Sequence, residues 1–518
     1  MVQDIFKLVA FFLLGLVYFY SLAGFGRILS NKNSNIFELQ LDGTIVLLII
    51  GYFIYLTIGF NPIINVLILI IGLFFVFKKK IEIISNQKCI IFLFISLFAV
   101  LIISKTHEDF NNYHFFSIFE VFNNSLRIGV SKINAYWIHS SLLKFNQSLI
   151  VLPLISFSAI HLPIFIIYLS TIGYFLLLIF VKKVKKDELF FSLLCVLILL
   201  VKFNRLSEFG YDYISQFILL IVFHKIYFLK NDNQEINKSI LYYILCVLIK
   251  PISLLFSPIL FFLFFKNGLG FFKKISISKY FIYTLLIFIF FSSSFIKTGC
   301  IFYPINSTCF PKEKIFWSEK AHLKSYSQIV ELWSKSYDAQ KKISKYKKIE
   351  DTNVYLENFN WVKFWIEKHF FYKVFEFLLL TILIISIIYF LLPKTVFEEN
   401  KDKKEKYVIL LLSFLSIFFW FNTVPQFRFG FSFIMIFVFF LFNLLLNLKI
   451  KFNKKRFIYL IFLALLFLNI KNFIRIKNEF LRDDFYKFTN FPYFNQKVIK
   501  YDYSNLKRDN FFYIELLK

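Results

Sequence analysis

Glu108 and Asp109 are adjacent carboxylates, with His107 before them and His114 shortly after, in the polar stretch from Lys105 to Gln147, KTHEDFNNYHFFSIFEVFNNSLRIGVSKINAYWIHSSLLKFNQ. A carboxylate within hydrogen-bond reach of a hydroxyl acts as a general base, or sits beside a phosphate at the mouth of a site. Aromatic residues run through the stretch, among them Phe110, Tyr113, Tyr136 and Trp137, and His139 and Arg127 add polar groups. Asp109 has a second reading from position alone. It precedes the helical spacing of Phe115, Phe116, Phe119 and Phe122, and Asp is a favoured helix N-cap. Arg127 likewise either meets a phosphate or snorkels to the membrane surface.

Further charged residues stand where apolar runs meet. The segment KFNRLSEFGYD from Lys202 to Asp212 places Arg205, Glu208 and Asp212 between two such runs. Ionisable groups at membrane depth are costly and tend to be paired or functional, and Arg205 with Glu208 can be a structural ion pair. Lys250 precedes Pro251 inside an apolar region, where proline breaks a helix; the lysine either meets an anionic headgroup or snorkels. Arg428 follows in NTVPQFRFG, and its guanidinium offers a fork matched to phosphate or a simple interfacial anchor. Cys300 and Cys309 flank Pro304 in one polar loop, and a disulfide that fixes the loop is the simplest account. Cys89, Cys195 and Cys246 lie in or beside apolar runs as small core residues. No C-x-x-C or H-E-x-x-H signals a metal site.

These residues sit on a chain that is mostly membrane. Of its 518 residues 58% are hydrophobic and 22% aromatic, more than a soluble domain carries. Mean hydropathy is +0.67, which leads to the same class. Apolar runs of spanning length fall near residues 5–25, 43–60, 62–78, 89–104, 160–181, 188–203, 210–229, 239–250, 252–266, 279–297, 370–392, 406–422, 429–448 and 456–472, several of them short or split, giving about 13 spans. The net charge of +28 does not point to nucleic acid, because the lysines cluster in short loops rather than on a basic stripe. Every second connection is lysine-dense, from Lys78–Lys80 to Lys182–Lys186, Lys225 with Lys230, Lys273 with Lys274, Lys394–Lys406 and Lys449–Arg456. Basic loops face the cytoplasm, so the connections 105–147, 203–210, Lys250-Pro251, 298–368, 422–428 and the tail from about 473 lie outside. The parts are then N-terminal spans (1–104), an external amphipathic loop with the acidic motif (105–147), central spans (148–297), an external cap loop (298–368), C-terminal spans (369–472) and an external tail (473–518). Helices in the 105–147 loop are expected in the interface plane with their apolar face toward lipid.

Together these residues resemble the GT-C superfamily of membrane glycosyltransferases. Those enzymes have many transmembrane helices, a first large external loop with an acidic motif and interfacial helices, and donors linked to polyprenyl phosphate. Asp109, with Glu108, matches the acidic position of that loop, and Arg428 corresponds to the late basic residue near the lipid phosphate. D-F-x-x-Y-H at Asp109 to His114, R-L-S-E-F-G at Arg205 to Gly210 and T-G-C…T-C-F at Thr298 to Phe310 also look like a group of large bacterial membrane proteins, mostly without an assigned function, over roughly residues 100–430.

The resemblance implies an all-α polytopic bundle in the bacterial inner membrane with its active face extracytoplasmic. The implied reaction moves a sugar from a polyprenyl-phosphate carrier to a glycan, lipid or protein acceptor. Asp109 with Glu108 would be catalytic; His114, His139, Arg205, Lys250, Arg428, Tyr113 and Trp137 would bind substrate. The loop has no D-x-D, so a divalent cation stays open as the one cofactor. Two other readings compete. A polysaccharide polymerase or ligase would concentrate its arginines in large late loops, whereas here the acidic motif is early. A transporter or flippase would carry polar residues along a path through the spans, which look nearly devoid of carboxylates.

Overall fold

The computed structural model describes residues 2–30, 34–78, 87–102, 114–132, 141–153, 155–181, 184–204, 211–268, 277–303, 305–318, 320–343, 345–392, 403–446 and 453–480. Among these the regular elements are helical: α1 (Val2–Leu29), α2 (Ile36–Leu56), α3 (Pro62–Lys78), α4 (Gln87–Ile102), α5 (Phe115–Asn123), α6 (Lys144–Leu149), α7 (Leu162–Phe180), α8 (Lys186–Lys202), α9 (Asp212–Phe228), α10 (Asn233–Ile249), α11 (Ser257–Asn267), α12 (Ile277–Thr298), α13 (Lys320–Ser334), α14 (Thr352–Leu356), α15 (Val362–Leu391), α16 (Lys403–Thr423), α17 (Phe427–Leu446) and α18 (Lys454–Phe480). Eight helices among the described residues are long and apolar enough to cross a membrane. Their outward faces keep large apolar side chains uncovered, Phe281 at 70%, Phe390 at 79% and Phe473 at 70% exposure. A water-soluble fold would bury such rows, and a lipid-facing surface does not. The chain is a helical membrane protein.

Close packing begins at the N-terminus. A β-carbon on Gly26 would lie 1.8 Å from the Leu39 carbonyl oxygen, and one on Gly43 would lie 1.9 Å from that of Leu22. Only glycine lets α1 and α2 approach this far, the small-residue packing common between membrane helices. At the centre α9 packs against α7, α10, α11 and α17, and its residues from Ile214 to Tyr227 are all buried. Its first residue is Asp212 and its last turn carries Lys225. Thirteen residues at about 1.5 Å each put these charges about 20 Å apart, at opposite ends of the bundle.

The Lys225 end is a network of buried ions. Lys225 pairs with Glu38 and Glu235, Lys238 also reaches Glu38 at 3.4 Å, and His224 Nε2 lies 2.9 Å from Glu188. Lys406 reaches Asp187 at 2.7 Å. Asp42, one turn beyond Glu38 on α2, is buried and accepts from Ser30. The spans are therefore not nearly devoid of carboxylates: α2 begins seven residues ahead of the apolar run expected at 43–60 and so takes in Glu38 and Asp42, and packing buries these and Glu188. Helix boundaries also differ from the expectation. The last seven residues of the expected cap loop, 362–368, open α15, and α18 runs on to Phe480, into the expected tail.

The helix expected after Asp109 forms as α5, but its apolar face does not turn to lipid. Phe115, Phe116, Phe119 and Phe122 pack with Phe157, Val151 and Ile160. The chain itself supplies the covering surface, in the stretch just before α7. The cap loop is tied at its start by a disulfide between Cys300 and Cys309.

Candidate functional site

The Asp212 end gathers residues from five separated elements. Asp212 is 7% exposed, and its two carboxylate oxygens face two cations: Lys250 Nζ at 2.7 Å and Arg428 Nε at 3.0 Å. Local sequence places each one. Pro251 disfavours helical backbone at the residue before it, so Lys250 is extended, at φ −149° and ψ 109°, and α10 stops there. Its backbone N–H still donates to Cys246 at 2.8 Å, which keeps the lysine against the helix end.

Arg428 is placed by a pinned turn. Trp365 Nε1–H donates to the Pro425 carbonyl at 2.6 Å, and Trp420 Nε1–H donates to that of Gln426 at 2.8 Å. The Gln426 side chain donates to the Ser334 carbonyl at 2.9 Å and lies 3.1 Å from His369 Nε2. This ties the start of α17 to the end of α13, whose Trp333 lies under the Arg428 guanidinium, 5.2 Å from its ring centre. Phe429 lies beneath both cations, 5.2 Å from Arg428 and 5.4 Å from Lys250. Cations over aromatic faces keep their charge available at modest desolvation cost.

His114 joins from the other side. Its ring meets the edge of Tyr211 at 5.0 Å, and it lies close enough to act electrostatically on Asp212. The Tyr211 hydroxyl donates to Gln147 Oε1 at 2.6 Å, and the Gln147 amide donates to the Ile160 carbonyl at 2.8 Å. His114 is five positions after Asp109 in sequence.

The structure therefore brings together His114, Lys250 and Arg428. Glu108, Asp109, Tyr113, Trp137, His139 and Arg205 lie outside the described residues. Asp212 carried a signal in sequence as an ionisable residue at membrane depth; Gln426 and Tyr211 carried none. With two cations on one carboxylate, the donor set suits an approaching anion better than a divalent cation. Among the described residues no group of three or more His, Cys, Asp or Glu is arranged to hold a metal ion.

Fold and site define a polytopic helical membrane protein with a cationic, aromatic-lined cluster at one end of its bundle. Residues 5–435 match the family described as Domain of unknown function (DUF8201), and the chain belongs to that family. No curated protein and no solved structure matches the chain.

Proposed function

We propose that this protein is a membrane glycosyltransferase of GT-C type, crossing the bacterial inner membrane about 13 times and working on its outer face. The observation that carries the reading is the meeting of Lys250 and Arg428 on Asp212, with His114 beside it. In the proposed reaction Asp109, with Glu108, takes the proton of an acceptor hydroxyl. The acceptor oxygen bonds to the anomeric carbon of the donor sugar. The bond from that carbon to the polyprenyl-phosphate oxygen breaks, and its electron pair leaves with the phosphate. Lys250 and Arg428 stabilise that growing charge, and Asp212 holds both cations in place. Tyr113, Trp137, His114 and His139 line the sugar path, and Arg205 adds a further cation.

The test follows lipid-linked sugar and glycan product in membranes carrying matched amounts of each variant. Asp109→Asn preserves a helix cap and removes the base, so it should insert normally and lose about 10²–10⁴-fold in rate. Arg428→Gln should lose about 10²–10³-fold. Near-normal product from both variants would sink the assignment, and lipid translocation without sugar transfer would favour a flippase.

A further inference from the structure

Two consecutive residues between α14 and α15 adopt a backbone that most side chains avoid. Asn358 has φ +48° and Phe359 has φ +58°, both in the left-handed region. Asparagine enters that region readily, but a bulky residue there is an outlier. Hydrogen bonds hold the turn. The Asn360 N–H donates to the Glu357 carbonyl at 3.0 Å, and its side-chain amide donates to that of Val354 at 2.8 Å. Glycine or asparagine would suit position 359 better than phenylalanine. Burial within the protein does not offset the cost, because Phe359 is 54% exposed.

The position of the ring says what it faces. α15 opens at Val362, three residues on, and α16 ends at Thr423; both helices are long and apolar enough to cross a membrane. The Phe359 ring lies nearly parallel to that of Phe421 near the end of α16, centroids 6.5 Å apart. It therefore stands level with two span ends, where hydrocarbon gives way to headgroups. Phe421 closes a row on α16 in which Tyr407, Leu411, Phe414 and Phe418 are exposed. The row advances by four, three, four and three residues, so it keeps to one helix face over about 21 Å. An exposed apolar face of that length along a span is a lipid-facing one, and Phe359 continues it past the helix end. Behind the ring, Phe421 meets Trp361 at 5.0 Å and Trp365 at 5.2 Å. Trp365 also pins the Pro425 turn ahead of Arg428. From α14 the Tyr355 hydroxyl donates to the Lys335 carbonyl at 2.8 Å, two residues past Trp333.

We infer that Phe359 is a membrane anchor: its ring inserts among lipid acyl chains at the Asp212 end of the bundle and fixes the height of α13 and α14 over Arg428. Removing an apolar ring from water is favourable in proportion to its area, and that gain offsets the left-handed backbone. The partner is the acyl region of the leaflet, so no particular headgroup is required. The anchor requires a chain that spans a membrane and does not depend on sugar transfer.

The experiment uses the full-length protein in phosphatidylcholine vesicles that include a lipid with a diazirine near the carbonyl end of one acyl chain. After irradiation, trypsin releases residues 349–363 as one peptide, and fragmentation of the wild-type peptide should place an adduct on Phe359. Phe359→Asn suits the left-handed backbone and removes the apolar ring. It should keep its helix content and unfolding midpoint, lose most of the adduct, and exchange amide hydrogens faster over 352–360. A second measurement places a nitroxide at Phe359→Cys in a chain carrying Cys89→Ser, Cys195 and Cys246 being buried. The label should respond more to oxygen than to a water-soluble nickel chelate, as a label at Phe418→Cys does, whereas one at Glu350→Cys should show the reverse. A stronger response to nickel at 359 puts the ring in water and overturns the anchor. Protection from both agents, with no lipid adduct in wild type, puts the ring under protein and also overturns it. Equal adduct yields from wild type and Phe359→Asn would do the same.

Discussion

Asp212 shows how far single residues could be read. The sequence marks Lys250 and Arg428 as cations able to meet an anion, and it marks Asp212 as one of three ionisable residues between two spans. It does not show that the three touch, because that depends on how α9, α10 and α17 pack. Removing one partner of a buried ion pair costs about 3–5 kcal/mol. Here Arg428 keeps a quarter of its side chain exposed, so Asp212→Asn should cost the lower end of that range or less. A double-mutant cycle with Lys250→Gln should return a coupling above about 0.5 kcal/mol, as residues in one ion network do; additive effects would separate them. Lys144 allows a second residue-level prediction. Its folded value of about 8 lies below the value of about 10.4 expected when unfolded. Between these the unfolded chain holds more protons, so stability should rise as pH climbs from about 8 to about 10. Glu120 and Lys297 face the group. A rise seen in wild type and absent from Lys144→Gln would fit, and a rise of equal size in both would assign it elsewhere.

At the scale of elements, local signals travelled well and contacts between elements did not. The spacing of Phe115, Phe119 and Phe122 shows a helix. What covers that helix is decided by Phe157 and its neighbours, which the spacing cannot contain. Pro251 announces the end of α10 through elementary backbone sterics, whereas the turn at Pro425 is held by two tryptophans from other helices and is invisible locally. The disulfide belongs to this scale. Cys300 and Cys309 are nine positions apart, and loop-closure entropy for so short a ring gives about 2–3 kcal/mol of stabilisation. The bridge holds the start of the cap loop next to the end of α12, where Lys297 resides. Maleimide should label neither cysteine in the native protein until reductant is added, and Cys300→Ser should leave Cys309 reactive at once. Labelling of both without reductant would remove the bridge. Cys195 and Cys246 are buried and should stay silent in the same assay until the bundle unfolds.

Across the whole molecule, the alternation of lysine-dense loops is what the sequence states most plainly, and the fold says which groups must share a side. Asp212 and Lys225 close opposite ends of one buried helix, so every group tied to either is assigned an end. The Asp212 end holds α5, the disulfide loop and α13. The Gly129 N–H donates to the Ile296 carbonyl at 2.8 Å, Ser131 donates to that of Lys297 at 2.8 Å, and Trp333 contacts Arg428. The Lys225 end holds Glu38, Lys238, Glu188 and Asp187. The lysine-dense loops at 182–186, 230 and 273–274 follow or precede helices at this second end. Basic loops near spans stay in the cytoplasm, so the proposed topology expects the Lys225 end inside and the Asp212 end outside. Alkaline phosphatase is active only outside and green fluorescent protein folds only inside, so fusions after residues 125 and 330 should be phosphatase-positive. Fusions after 184, 230 and 272 should be fluorescent. Because the contacts above already place 125 and 330 at one end, opposite reports from those two sites would contradict the fold itself. Matching reports of the reverse sign would keep the fold and move the Asp212 cluster into the cytoplasm, where a polyprenyl-phosphate sugar donor on the outer leaflet could not reach it.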